Sequence, residues 1–79
     1  ENKPDNTILI DIVRMTMPYG KYKGTLIKHI PTYYLEWMSI QGFPQGRLGM
    51  ILSTAFVIKT NGLEYLLKDI GETDEEYQE

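Results

Sequence analysis

The chain has 79 residues, no cysteine and a formal net charge of −3. This length suits a single domain with a thin core, whose stability is about 5 kcal/mol. The absence of cysteine excludes disulfides and thiolate zinc sites, and nothing marks an oxidising compartment, so we expect a cytoplasmic protein. No apolar run approaches the roughly 20 residues that span a bilayer, and we expect no membrane association.

Charge is distributed unevenly along the chain. Residues 14–59 contain six basic side chains against a single acid, Glu36, whereas residues 69–79 contain six acids and neither Lys nor Arg. A segment with so much charge has too little apolar surface to offset the entropy of ordering it. The composition therefore predicts a compact domain over 1–70 followed by an acidic, disordered tail over 71–79.

The first predicted element follows Pro4. Asp5 or Asn6 can cap a helix on which Leu9, Ile12, Val13 and Thr16 share one face. The run ILIDIV within it is rich in β-branched residues and also suits a strand. Periodicity alone leaves both interpretations open.

The next stretch, MPYGKYKG at 17–24, predicts a β-hairpin. Gly20 and Gly24 adopt positive φ at little cost, and the three residues between them fit a tight reversal. The flanking segments 16–19 and 25–30 would be the two strands, with Pro18 favouring an edge position. The expected tip of the hairpin runs from Tyr19 to Thr25.

Two longer helices are predicted from Thr32 to Ile40 and from Arg47 to Lys59. Pro31 and Thr32 favour the start of the first, Gly42 its end, and Asn61-Gly62 the end of the second. A further helix around Leu63 to Leu67 brings the total to about four. The fold class predicted is therefore α+β, a small, mostly helical domain with one short hairpin. The expected core comprises Ile12, Leu26, Leu35, Trp37, Leu48, Leu52, Phe56, Leu63 and Leu66.

Four phrases occur in a characteristic order: MPYGKYKG, IPTYYLEWM, GFPQGRLG and IKTNGLEYLL. In this the chain resembles a family of small uncharacterised bacterial proteins, the putative quorum-sensing-regulated virulence factors, over about Ile8 to Leu67. The resemblance implies a small helical domain with a hairpin and implies almost nothing about chemistry. The segment from Met17 to Trp37 also resembles, more weakly, the C-terminal domain of exodeoxyribonuclease-X-type proteins, which implies a role near DNA.

The glycine-bracketed turn is the candidate binding site. Its backbone N–H groups could form a nest for an anion, and Lys21 and Lys23 would add charge. Tyr19, Tyr22 and Tyr33 could offer faces on which bases stack. An ordinary solvent-exposed hairpin tip has the same sequence, so both interpretations stay open. The candidate binding residues are Tyr19, Gly20, Lys21, Tyr22, Lys23, Gly24 and, at the start of a helix, Arg47.

No catalytic or metal-binding constellation is recognisable. His29 is the only histidine and has no nucleophile or metal-ligating partner near it in sequence. Trp37, Tyr34 and Met38 form a stripe at helical spacing that is typical of a core. We therefore expect no cofactor and a non-catalytic binding module for nucleic acid or another polyanion. The alternative is a protein-interaction or regulatory adaptor, with an enzyme third.

Overall fold

The computed structural model describes residues 6–68, which fold around three α-helices and one 3-10 helix. Helix α1 covers Asn6–Arg14, the 3-10 helix Ile27–His29, α2 Thr32–Gln41 and α3 Arg47–Thr60, and a helical turn follows at 65–68. No helix in this part of the chain is long and apolar enough to cross a membrane. The proposed Asp5 cap and the acidic tail over 71–79 lie outside the described residues.

The segment that suited either a helix or a strand is helical. Ile8, Ile12 and Val13 are buried along one side of α1, while Asn6, Thr7 and Arg14 are exposed. The i, i+4 spacing of the buried residues is that of a helix face. Burial of this face decides between the two conformations that local propensity left open.

The predicted β-hairpin, and with it the α+β class, is wrong for the described residues. They contain no strand, and Thr16 and Leu26 form only an isolated antiparallel bridge. On one side the Thr25 N–H donates to the Tyr22 carbonyl and not back to Met17, so the pairing does not continue towards the loop. On the other, the His29 N–H donates to the Leu26 carbonyl at 2.8 Å and turns the supposed second strand into the 3-10 helix. Residues 16–26 therefore form a loop closed by a single bridge.

The two predicted long helices are confirmed, each to within one residue at its end. Helix α2 follows Pro31, which occupies the cap position expected of Thr32, and ends at Gly42 with φ of 105°. Helix α3 ends at Asn61, whose side-chain amide donates to the Val57 carbonyl at 2.8 Å. The left-handed residue that reverses the chain is the next one, Gly62, with φ of 69°.

Helix α3 is the central element, because α1, α2 and the 3-10 helix all pack against it. Of the expected core, Ile12, Leu35 and Leu52 are fully buried, whereas Trp37 is 53% exposed and its assignment to the core is wrong. The remaining predicted core residues are partly buried. The buried core is formed by Ile8, Ile12, Val13, Met17, Ile27, Ile30, Leu35, Met38, Ile51, Leu52, Ala55, Ile58 and Leu67.

The connection between α2 and α3 is fixed by a close backbone contact. Gly49 in α3 is buried, and a β-carbon at this position would overlap the carbonyl group of Pro44. Phe43 of the same connection packs against Phe56, with ring centroids 6.3 Å apart. Glycine in the helix thus allows the connection to lie directly on α3.

Candidate functional site

Residues 20–24, the GKYKG loop, are held by overlapping turns. The Lys23 N–H donates to the Gly20 carbonyl at 3.1 Å, and the Thr25 N–H donates to the Tyr22 carbonyl at 2.9 Å. Gly20 and Gly24 have φ of 87° and 86°, the left-handed conformation expected from the sequence. The loop therefore has a defined shape although it is not a hairpin tip, and it exposes Lys21 and Lys23.

Three amides of this stretch are already used within the protein. Besides the bonds of Lys23 and Thr25, the Gly24 N–H donates to the Met17 carbonyl at 2.8 Å. An N–H group that is committed to a carbonyl is not available to cradle an anion in a nest. An anion at this loop would therefore be attracted mainly by the ammonium groups of Lys21 and Lys23.

Tyr22 attaches the loop to α2. Its ring meets Tyr34 edge-to-face with centroids 4.8 Å apart, and its hydroxyl shares a 2.8 Å hydrogen bond with the Tyr33 hydroxyl. The Lys21 ammonium lies 5.7 Å from the centre of the Tyr22 ring, within the range of a cation–π contact. Tyr22 is partly buried between Lys21 and α2, so its ring connects the loop to the helix and leaves little area on which a ligand could stack.

The hydroxyl pair changes the acidity of Tyr22. The hydrogen bond with Tyr33 raises the pKa of Tyr22 above its ordinary value, and partial burial raises the pKa further. Both effects favour the neutral phenol. At neutral pH Tyr22 is therefore uncharged and keeps its hydroxyl hydrogen.

The outer side of α2 carries large exposed side chains. Tyr33, Trp37 and Ile40 are 63%, 53% and 74% exposed and recur at i, i+4 and i+7, so they lie along one side of the helix. The indole of Trp37 stacks on Tyr34, with centroids 5.5 Å apart and an angle of 28° between the planes. We call the four rings of Tyr22, Tyr33, Tyr34 and Trp37 the aromatic face.

Six of the candidate binding residues, 19–24, are consecutive in the chain, and the seventh, Arg47, contacts α1. The Arg47 side chain binds α1: its Nη2 lies 3.0 Å from Asp11 Oδ2 and 2.9 Å from Thr7 Oγ1, and its Nε donates to the same carboxylate at 3.1 Å. These contacts hold the start of α3 against α1. Tyr19 is half exposed at the beginning of the loop, beside Gly20.

His29 lines a separate surface depression of about 320 Å³ together with Lys28, Glu64, Leu67 and Lys68. The exposed carboxylate of Glu64 offsets part of the positive charge there. No group of three or more His, Asp or Glu side chains within residues 6–68 is arranged to hold a metal ion. The depression contributes nothing to the aromatic face.

Sequence reasoning missed Trp37 and Ile40 as surface residues. Helix α2 is apolar on two sides, since Leu35 and Met38 are buried while Tyr33, Trp37 and Ile40 are exposed. The i, i+4, i+7 recurrence of the second set was visible in the sequence. A second apolar stripe on one short helix of a small domain stays exposed, because a single core covers one side only.

Comparison with known proteins places the chain in a family. Residues 5–70 match the family model described as "Putative quorum-sensing-regulated virulence factor". The protein called "Uncharacterized protein YpeB" is 40% identical over 63 residues in both Escherichia coli strain K12 and Escherichia coli O157:H7, covering 78% of this chain and 88% of the relative. No solved structure matches the chain. On this evidence the chain belongs to the family of putative quorum-sensing-regulated virulence factors.

Proposed function

We propose that the protein is a non-catalytic module that binds nucleic acid through the GKYKG loop and the aromatic face. The observation that carries the proposal is the physical link between the two: Tyr22 lies under the Lys21 ammonium and also contacts Tyr33 and Tyr34 of α2. Cationic groups and exposed aromatic rings are thereby held side by side on one surface.

This combination matches the chemistry of nucleic acid. Lysine side chains neutralise backbone phosphates and release counterions, which supplies affinity without sequence preference. Exposed aromatic rings stack on bases, a contact worth about 1–3 kcal/mol per base. Lys21 and Lys23 provide the first element, and Tyr33 and Trp37 provide the second. The one acid nearby in sequence, Glu36, is exposed on α2 and offsets part of this charge.

The proposal is tested by replacing both loop lysines with glutamine and measuring oligonucleotide affinity across a series of salt concentrations. If each lysine neutralises one phosphate of a single strand, the slope of log affinity against log salt should flatten by about 1.4 in the Lys21→Gln/Lys23→Gln variant. The melting temperature should stay nearly constant, because exposed lysines add little stability.

The matched control is Lys59→Gln/Lys68→Gln, which removes the same charge outside the loop. This control should lower affinity far less and leave most of the salt slope intact. If the two double variants lose affinity equally, the binding reflects overall charge and the loop has no special part in it. If neither parent nor variants bind an oligonucleotide in dilute buffer, the proposed function is wrong.

A protein-interaction adaptor is the second candidate, and a specific observation favours it. Ile40 is 74% exposed and extends the line of Tyr33 and Trp37 by almost one helical turn. An apolar stripe on a helix can dock into a groove of a protein partner. Such a contact is dominated by apolar burial, so its affinity should change little between low and high salt, in contrast to phosphate binding.

A further inference from the structure

Building on the proposed function, we infer that this surface selects unpaired strands and holds two successive bases, one on Tyr33 and one on Trp37. The inference rests on the axial separation of the two residues on α2, on the exposure of Trp37 and on the contact between the loop and Tyr33. Each of these is a feature of the described residues, and each restricts what can bind.

The positions of Tyr33 and Trp37 on α2 oppose binding of a stacked duplex. Tyr33 and Trp37 are four residues apart on α2, which separates them by about 6 Å along the helix axis. Neighbouring bases in a B-form strand are only about 3.4 Å apart. Two adjacent bases can meet both rings only if they are pulled out of their stack. Single strands do this readily, whereas a duplex must first break its base pairs.

One face of the Trp37 indole is covered, and about half of the residue is exposed. Its inner side stacks on Tyr34 at 5.5 Å, and the residue is still 53% exposed. A base stacked on the outer side would extend the row of rings formed by Tyr22, Tyr34 and Trp37. Because Tyr34 and Tyr22 are partly buried, the indole is held in place before a ligand arrives. Such preorganisation lowers the entropic cost of binding.

The loop lysines determine which end of this surface receives the phosphate. The Tyr33 hydroxyl is bound to Tyr22, next to Lys21, so the Tyr33 end of the stripe lies towards the cationic loop. Trp37 lies one turn further along α2, away from that contact. A strand that places one base on each ring therefore brings its backbone close to Lys21 at the Tyr33 end. This arrangement needs a linked chain of nucleotides and not a free base.

The test is a length series of labelled oligothymidylates, from the mononucleotide to the decamer, titrated against the full chain at low salt with a hairpin duplex as competitor. Affinity should increase steeply up to about three nucleotides, which supply the two stacked bases and the phosphates beside them. Beyond that length it should increase only as the number of overlapping positions grows. The duplex should compete poorly. Trp37→Ala should weaken trinucleotide binding roughly 5- to 150-fold, and Trp37→Phe should restore part of it.

Met50→Ala serves as the control, because Met50 is a similarly exposed apolar side chain, at 55%, on a different helix. It should bind the trinucleotide like the parent. Affinity that increases steeply up to ten nucleotides, equal competition by the duplex, or a mononucleotide that binds as tightly as the trinucleotide would overturn this inference and leave nucleic-acid binding intact. Failure of every oligonucleotide to bind would overturn the proposed function as well.

Discussion

At the scale of single residues, the hydrogen bond between the Tyr22 and Tyr33 hydroxyls connects the loop to the helix. Its length is 2.8 Å, and it raises the pKa of Tyr22. Below the ordinary tyrosine pKa of about 10, both the folded and the unfolded protein carry a neutral Tyr22, so the stabilisation by this bond is fully present. It is lost as the pH rises through the raised pKa of the folded state.

The Tyr33→Phe variant tests this coupling directly. Removing the partner hydroxyl should return the pKa of Tyr22 towards its ordinary value, because the main cause of the shift is gone. Ring carbon chemical shifts of Tyr22, followed by NMR against pH, measure the change. Tyr19→Phe is the control, since Tyr19 is half exposed, and it should leave the Tyr22 titration unchanged. A Tyr22 titration that is the same in all three proteins would show that the hydroxyl pair does not persist in solution.

At the scale of elements, the junction between α2 and α3 depends on Gly49. Alanine normally favours a helix interior over glycine by about 1 kcal/mol. Here its β-carbon would overlap the Pro44 carbonyl group, which belongs to the backbone and cannot rotate away. Overpacking of this kind costs about 1–3 kcal/mol, so the steric cost should exceed the gain in propensity.

We therefore expect Gly49→Ala to lower the melting temperature, as measured by circular dichroism. Ser53→Ala on the same helix is the control, because it adds no atom and removes only a hydroxyl that bonds within α3. Its effect on the free energy of unfolding should stay within about 0.5 kcal/mol. A Gly49→Ala protein that melts higher than the parent would mean that the connection can move away from α3 at no cost.

The same elements show what the sequence could predict. The bounds of α2 and α3 were predictable because local features coincide there: Gly42 and Gly62 supply left-handed backbone just beyond the two helices. The hairpin prediction failed because two glycines around a turn do not reveal that the backbone pairing stops after one bridge. Trp37 was misplaced because the large apolar area of a tryptophan predicts burial, whereas its position around the axis of α2 decides whether it faces the core.

The candidate site was predicted in part for similar reasons. Lys21, Tyr22 and Lys23 are adjacent in sequence, so their grouping needed no tertiary information. Arg47 was grouped with them by charge, but its partner Asp11 lies 36 positions earlier in the chain, and only the packing of α1 on α3 brings the two together. Long-range ion pairs of this kind leave no local pattern in a sequence.

At the scale of the whole molecule, helix α2 is apolar on two sides, of which one is buried and the other is exposed. Leu35 and Met38 of α2 belong to the core, whereas Tyr33, Trp37 and Ile40 are exposed. The core of a domain of this size provides a stability of only about 5 kcal/mol in total. Substitutions in the core should therefore lower the free energy of unfolding strongly, whereas those on the exposed side should leave it nearly unchanged.

Leu52→Ala and Ile40→Ala form the pair that tests this separation. Leu52 is fully buried in α3, and its truncation should cost about 2–5 kcal/mol, close to the entire stability of the domain. Ile40 is 74% exposed, so Ile40→Ala should change the free energy of unfolding by no more than about 0.5 kcal/mol. Urea denaturation followed by circular dichroism measures both. An Ile40→Ala protein as unstable as Leu52→Ala would mean that Ile40 is buried in solution, and the outer side of α2 would then be part of the core or of a self-association surface.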